Sequence, residues 1–146
     1  GVDFRWTMKQ ELRKVPGLGF ASEKVGHIFI DRSNTKAAVD SIKAAREKIK
    51  GGTSIIVFPE GTRNASGETG RFKKGAFMLA IDLKLPIVPL SIKGTDKILP
   101  ADTFDLFPGK ASITIHPPLS TDEYNASNVD ELITKCREIV VSGLKT

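Results

Sequence analysis

Ser54 opens a short unbroken apolar run, Ile55-Ile56-Val57-Phe58, that leads straight into a glycine-bearing polar loop reaching Arg71. A run this short and branched, closed by turn formers, reads as a strand covered on both faces, the usual state of a strand in a parallel sheet. The rest of the chain supplies what such a sheet needs. Gly26-His27-Ile28-Phe29-Ile30-Asp31, Ile87 to Ile92, and the alternating Ala111, Ile113 and Ile115 before Pro117-Pro118 read as further strands. Between them lie segments of helical period. Met8 to Lys14 predicts a short helix ending before Pro16, and Gly75 to Leu83 another. Asn34 caps a helix carrying Ala38, Ile42, Ala45 and Ile49 and stopped by Gly51-Gly52. Asn128, with Glu131 three residues on, caps a last helix whose stripe is Val129, Leu132, Ile133, Cys136 and Val140.

Strands alternating with helices predict an α/β fold: a single layered domain over 1–146 with a largely parallel mixed β-sheet flanked by helices. The strands near 27–31, 54–58, 87–92 and 111–116 are expected to share one sheet, with helices 35–50 and 129–142 on its faces. Cys136, the only cysteine, falls on an apolar stripe with no disulfide partner and reads as a small buried hydrophobe of a reducing compartment. No stretch approaches the roughly 18 consecutive apolar residues of a membrane span, and the first residues are no signal peptide.

Charge is unevenly placed. Lys and Arg outnumber Asp and Glu 18 to 10 over residues 1–100 and are outnumbered 4 to 7 beyond, a balance of +8 and −3. The basic part suits anionic partners, whether lipid phosphates, coenzyme A or nucleic acid. Nucleic acid is set aside, since one Trp, one Tyr and no aromatic-basic interleaving match no RNA-binding pattern.

The segment Val57-Phe58-Pro59-Glu60-Gly61-Thr62-Arg63 lies where an α/β sheet gathers its binding groups, outside the carboxyl end of a strand. Gly61 admits a ligand close to the backbone, Thr62 offers a hydroxyl, and Arg63 a fork that matches phosphate oxygens. Taken alone, the same residues also fit a surface turn with a Glu60–Arg63 ion pair. The string resembles the Phe-Pro-Glu-Gly-Thr-Arg signature of the glycerophospholipid acyltransferase family. Other blocks are similar to that family's in the same order: Met8-Lys9-Gln10-Glu11-Leu12 with Pro16-Gly17-Leu18-Gly19, then Ile28-Phe29-Ile30-Asp31-Arg32, then Phe72-Lys73-Lys74-Gly75-Ala76-Phe77, then Leu85-Pro86-Ile87-Val88-Pro89-Leu90. The run covers about residues 6 to 95.

The resemblance implies transfer of a fatty acyl group from acyl-CoA or acyl carrier protein to a lysophospholipid acceptor, 1-acyl-glycerol-3-phosphate first among them, with no metal or other cofactor. It implies acceptor binding by Lys9, Arg32, Glu60, Gly61, Thr62, Arg63 and Lys73. It also implies a membrane surface as partner, on the cytoplasmic side, reached peripherally or through an anchor beyond this chain. The family's opening His-x-x-x-x-Asp block, its base and the aspartate that orients it, is expected upstream of Gly1. Here the positions five residues after His27 and His116 are Arg32 and Thr121. Asp31 follows His27 by four, a separation of roughly 13 Å in a strand. The chain therefore reads as the larger C-terminal part of such a domain, inactive alone. Two alternatives stand beside it: a non-catalytic module that binds acidic lipid or phosphate, and a family member acting on glycerol 3-phosphate or another lysolipid. Lys73 and Lys74 beside Phe72 and Phe77, and Phe104 with Leu106-Phe107, are candidate contacts with lipid headgroups. For the loop aromatics, a cluster packed under a long loop is the simpler expectation.

Overall fold

Phe4, Trp6 and Met8 alternate with Arg5, Thr7 and Lys9, and this two-residue period becomes strand β1 (Phe4–Lys9). The computed structural model describes residues 3–31, 37, 40, 41, 52–62, 68–100, 103 and 105–145. It divides into two compact units, Gly1–Phe58 and Pro59–Thr146.

In the first unit β1 is the middle of a three-stranded parallel sheet, with β2 (Ile28–Ile30) on one side and β3 (Ser54–Ile56) on the other. The neighbours are staggered: Thr7 to Lys9 pair with Ile28 to Ile30, and Phe4 to Trp6 pair with Ser54 to Ile56. The helix predicted from Met8 is thus corrected. Met8 and Lys9 belong to the ladder, and only Gln10–Lys14 coils, as a 3-10 turn. Helix α1 (Leu18–Val25), which the sequence reading did not assign, connects this turn to β2. It ends at Gly26 in the left-handed region (φ 88°), where the His27 N–H reaches the Ser22 carbonyl at 2.9 Å and the Gly26 N–H the Glu23 carbonyl at 3.0 Å. The first ladder ends buried, at Ile28 and Ile30. β3 has a partner on one side only among the described residues; Ile55, Ile56 and Val57 are half-buried, and Phe58, stacked on Trp6, is exposed. The expectation of a strand covered on both faces is therefore not met. Of the helix predicted at 35–50, Ala37, Asp40 and Ser41 are helical, and the Ser41 hydroxyl donates to the Ala37 carbonyl at 2.8 Å. Its cap at Asn34 and its apolar positions lie outside the described residues.

In the second unit the loop from Pro59 leads to helix α2 (Lys74–Asp82), then to β4 (Leu90–Lys93), a single turn α3 (Thr95–Ile98), β5 (Ser112–Ile115) and helix α4 (Val129–Lys145). β4 and β5 pair antiparallel, Leu90 opposite Ile115 and Lys93 opposite Ser112, and a bridge joins Ile87 to Leu119. Among the described residues no ladder joins β4 or β5 to the parallel sheet, so the single shared sheet expected from the sequence is two sheets by hydrogen bonding. The core forms where α4 meets α2: Phe72, Phe77, Val129, Leu132, Ile133 and Cys136 are buried together, and Val140 packs against them. That is the stripe read from the sequence. Leu132 is fully buried, which stabilises the unit by about 2 kcal/mol.

Three local expectations change. Phe72 and Phe77 stack in this core and cannot rest on a lipid surface. Leu106 and Phe107 are exposed rather than packed under their loop, and Phe104 lies outside the described residues. The Asn128 side chain turns back from α4, accepting the Asn125 N–H at 2.7 Å and donating to the Glu123 carbonyl at 3.2 Å, so it closes the preceding turn rather than capping the helix. Among the described residues no helix is long and apolar enough to cross a membrane.

Candidate functional site

Gly61 is the pivot of the loop that follows β3. Its φ of 76° lies in the left-handed region, which carries the chain around without a side-chain clash. The space a β-carbon would take there is 2.9 Å from Nζ of Lys73 and 3.0 Å from its Cε, so the ammonium lies directly against the Gly61 backbone. Glu60 points the other way along the loop, its Oε2 accepting the Gly70 N–H at 2.7 Å, and the Lys73 N–H donates to the Pro59 carbonyl at 2.8 Å. These two bonds close the loop at its base. The predicted Glu60, Gly61, Thr62 and Lys73 are thereby brought into one loop of the second unit, with Thr62 and Lys73 exposed and Glu60 and Gly61 half-buried. Arg63 lies outside the described residues.

Lys9 and Arg32 belong to the first unit. Lys9 is exposed at the carboxyl end of β1, opposite Ile30. Arg32 follows β2 by two residues and lies outside the described residues.

Both histidines have structural partners. His27 Nδ1 accepts the Trp6 N–H at 3.4 Å; the residue is half-buried and lies just before β2 rather than in the strand. His116 Nε2 lies 2.8 Å from the Ser91 hydroxyl, and that hydroxyl donates to the Val140 carbonyl at 2.7 Å. With its one proton given to Val140, Ser91 can only accept from His116, so Nε2 carries the hydrogen. Ser91 and His116 thus form a clasp that ties β4 to the end of β5 and, through the Val140 carbonyl, to α4, and not a nucleophile and its base.

One residue that sequence reasoning missed is Arg137. From α4 its Nε donates to the Gly70 carbonyl at 3.0 Å and an Nη to the Thr69 carbonyl at 2.6 Å. The only sequence signal was its place one residue after buried Cys136, at the margin of the apolar stripe. An open groove of about 490 Å³ runs beside this contact, lined by Thr69, Gly70, Lys74, Asp130 and Arg137 among others but not by Glu60, Gly61, Thr62 or Lys73.

A parallel three-stranded sheet with helices between its strands and after it defines an α/β protein. The sequence profile of the family described as Acyltransferase matches residues 2–93, and the chain belongs to that family. It is 37% identical over 137 residues to a 1-acyl-sn-glycerol-3-phosphate acyltransferase of Limnanthes alba, covering 93% of this chain and 49% of that protein. To the chloroplastic 1-acyl-sn-glycerol-3-phosphate acyltransferase LPAT1 of Arabidopsis thaliana it is 31% identical over 145 residues, covering 99% and 39%. The crystal structure of the 1-acyl-sn-glycerophosphate acyltransferase PlsC from Thermotoga maritima superposes with a TM-score of 0.80 at 33% identity, over 97% of this chain and 55% of that one. The chain thus spans about half the length of these relatives or less. The α/β fold class expected from the sequence is the fold of that structure.

Proposed function

We infer that the protein of which this chain is part transfers a fatty acyl group from a thioester donor, acyl-CoA or acyl carrier protein, to 1-acyl-glycerol-3-phosphate in phospholipid biosynthesis. The observation that carries the reading is the Lys73 ammonium against Gly61, inside the Glu60-Gly61-Thr62 loop of a chain whose relatives bear the name of that activity. An exposed ammonium at a tight polar loop suits a tetrahedral dianion, because charge-assisted bonds to phosphate oxygens are the strong ones. In this reading Lys73 holds the acceptor phosphate together with Arg63, while Glu60 keeps the loop in shape through the Gly70 N–H.

Transfer needs a base to take the acceptor hydroxyl proton as its oxygen attacks the thioester carbonyl. It also needs donors for the oxyanion that precedes loss of the thiolate. The structural partners of His27 and His116 support a base, with its aspartate, from outside this chain. The chain by itself is then without turnover. In this reading the acceptor, which carries an acyl chain, is met at a membrane surface, with the cytoplasmic side as the proposed one.

The test follows free thiol release from acyl-CoA with lysophosphatidic acid, for the chain alone and for a full-length protein that bears it. Release is expected only from the full-length protein, and there Arg63→Lys, which keeps the charge but loses the fork, should raise the acceptor KM far more than the donor KM. Turnover by the chain alone would show that the base lies within it. Binding of lysophosphatidic acid with no thiol release from the full-length protein would replace the reading with a non-catalytic lipid-phosphate module.

A further inference from the structure

Residues 69 to 74 are strapped to α4 at both ends. At one end Arg137 holds the Thr69 and Gly70 carbonyls, and at the other the Lys74 ammonium meets Asp130 at 2.6 Å. Phe72, between them, is sunk in the α2–α4 core. With residues 69, 70, 72 and 74 all engaged on the α4 side, Lys73 projects the opposite way, and there its ammonium meets Gly61. The Thr69–Gly70 peptide is held from two directions, its carbonyl by an Nη of Arg137 and its N–H by the Glu60 carboxylate. Arg137 thereby fixes where the Glu60 carboxylate sits. A guanidinium fork reaching two successive carbonyls is suited to this, because its planar donors set orientation as well as distance.

The geometry points to Arg137 as a positioning residue for the acceptor phosphate: by anchoring Thr69 and Gly70 it sets the Glu60-Gly61 turn and the direction of Lys73. Its guanidinium is engaged with the loop carbonyls, and it acts through the loop. The assignment deepens the function proposed above and rests on it. It also lies on α4, beyond the 2–93 span of the family profile.

The experiment uses a full-length protein bearing this chain, with acceptor and donor KM measured separately. Arg137→Ala should raise the acceptor KM by about five- to tenfold and leave the donor KM unchanged. Arg137→Lys, which can reach one carbonyl but not both, should fall between wild type and Arg137→Ala. Combined with Lys73→Ala, Arg137→Ala should add little further to the acceptor KM, because both act on one cation. Equal rises for both substrates, no rise for either, or full additivity with Lys73→Ala would each overturn the assignment. Should Arg137→Ala fail to fold, the Arg137→Lys split between the two KM values decides alone. Amide exchange at Gly70 separates this claim from the functional reading. If wild type transfers acyl groups to no lysophospholipid, the functional reading falls, yet Arg137→Ala must still speed Gly70 exchange by about tenfold for the tether to stand. Unchanged exchange refutes it.

Discussion

Gly61→Ala separates the two physical roles of the site glycine. An L-residue held in the left-handed region at φ 76° costs about 1–2 kcal/mol. The added methyl would also lie 2.9 Å from Nζ and 3.2 Å from Cδ of Lys73, closer than side-chain carbons ordinarily approach. Those atoms are the far end of a flexible, exposed side chain, so the ammonium swings away at little cost in stability. The stability loss should therefore be set by the backbone, about 1–2 kcal/mol in urea unfolding of a full-length protein bearing this chain, with an unchanged m-value. The functional loss should come from the displaced ammonium, as a rise in acceptor KM. In a Lys73→Ala background the same substitution keeps its backbone cost but adds nothing further to the acceptor KM. A stability change below about 0.5 kcal/mol would show that the fold does not impose the turn. Additive KM effects in the double variant would show that Gly61 does not place Lys73.

Two further outcomes follow from the core. Burial raises the Cys136 thiol from its ordinary 9.0 to about 11, so the folded state keeps a proton that the unfolded chain releases. Stability is then unaffected below pH 9 and falls as pH rises from 9 towards 11, by about 2–3 kcal/mol in all; Cys136→Ala should abolish that alkaline slope, and an unchanged slope would place the titration elsewhere. Ser91→Ala leaves the Val140 carbonyl and His116 Nε2 without their shared partner; it should cost about 1–3 kcal/mol in unfolding while leaving acyl transfer intact, and loss of transfer without loss of stability would refute the structural clasp.

The α4 stripe was legible in the sequence because a helix needs only its own 3.6-residue period to declare a buried face, and Val129, Leu132, Ile133, Cys136 and Val140 keep it. The Glu60-Gly61-Thr62 turn was legible because its chemistry is contiguous. β1 was not read from the sequence although Phe4, Trp6 and Met8 alternate there, and the helix-forming residues from Gln10 onward drew the expected helix back to Met8. Tertiary structure alone decided the rest. That β1 stands between β2 and β3, and that β4 pairs with β5, depends on backbone hydrogen bonds between segments far apart in sequence, to which side-chain pattern is nearly blind. The same holds at the site. Lys73 reads as one surface lysine among many until Arg137, Asp130 and the buried Phe72 hold its neighbours against α4 and leave it facing Gly61. Local sequence fixes which groups the loop contains, and contacts made more than 50 residues away fix where they point.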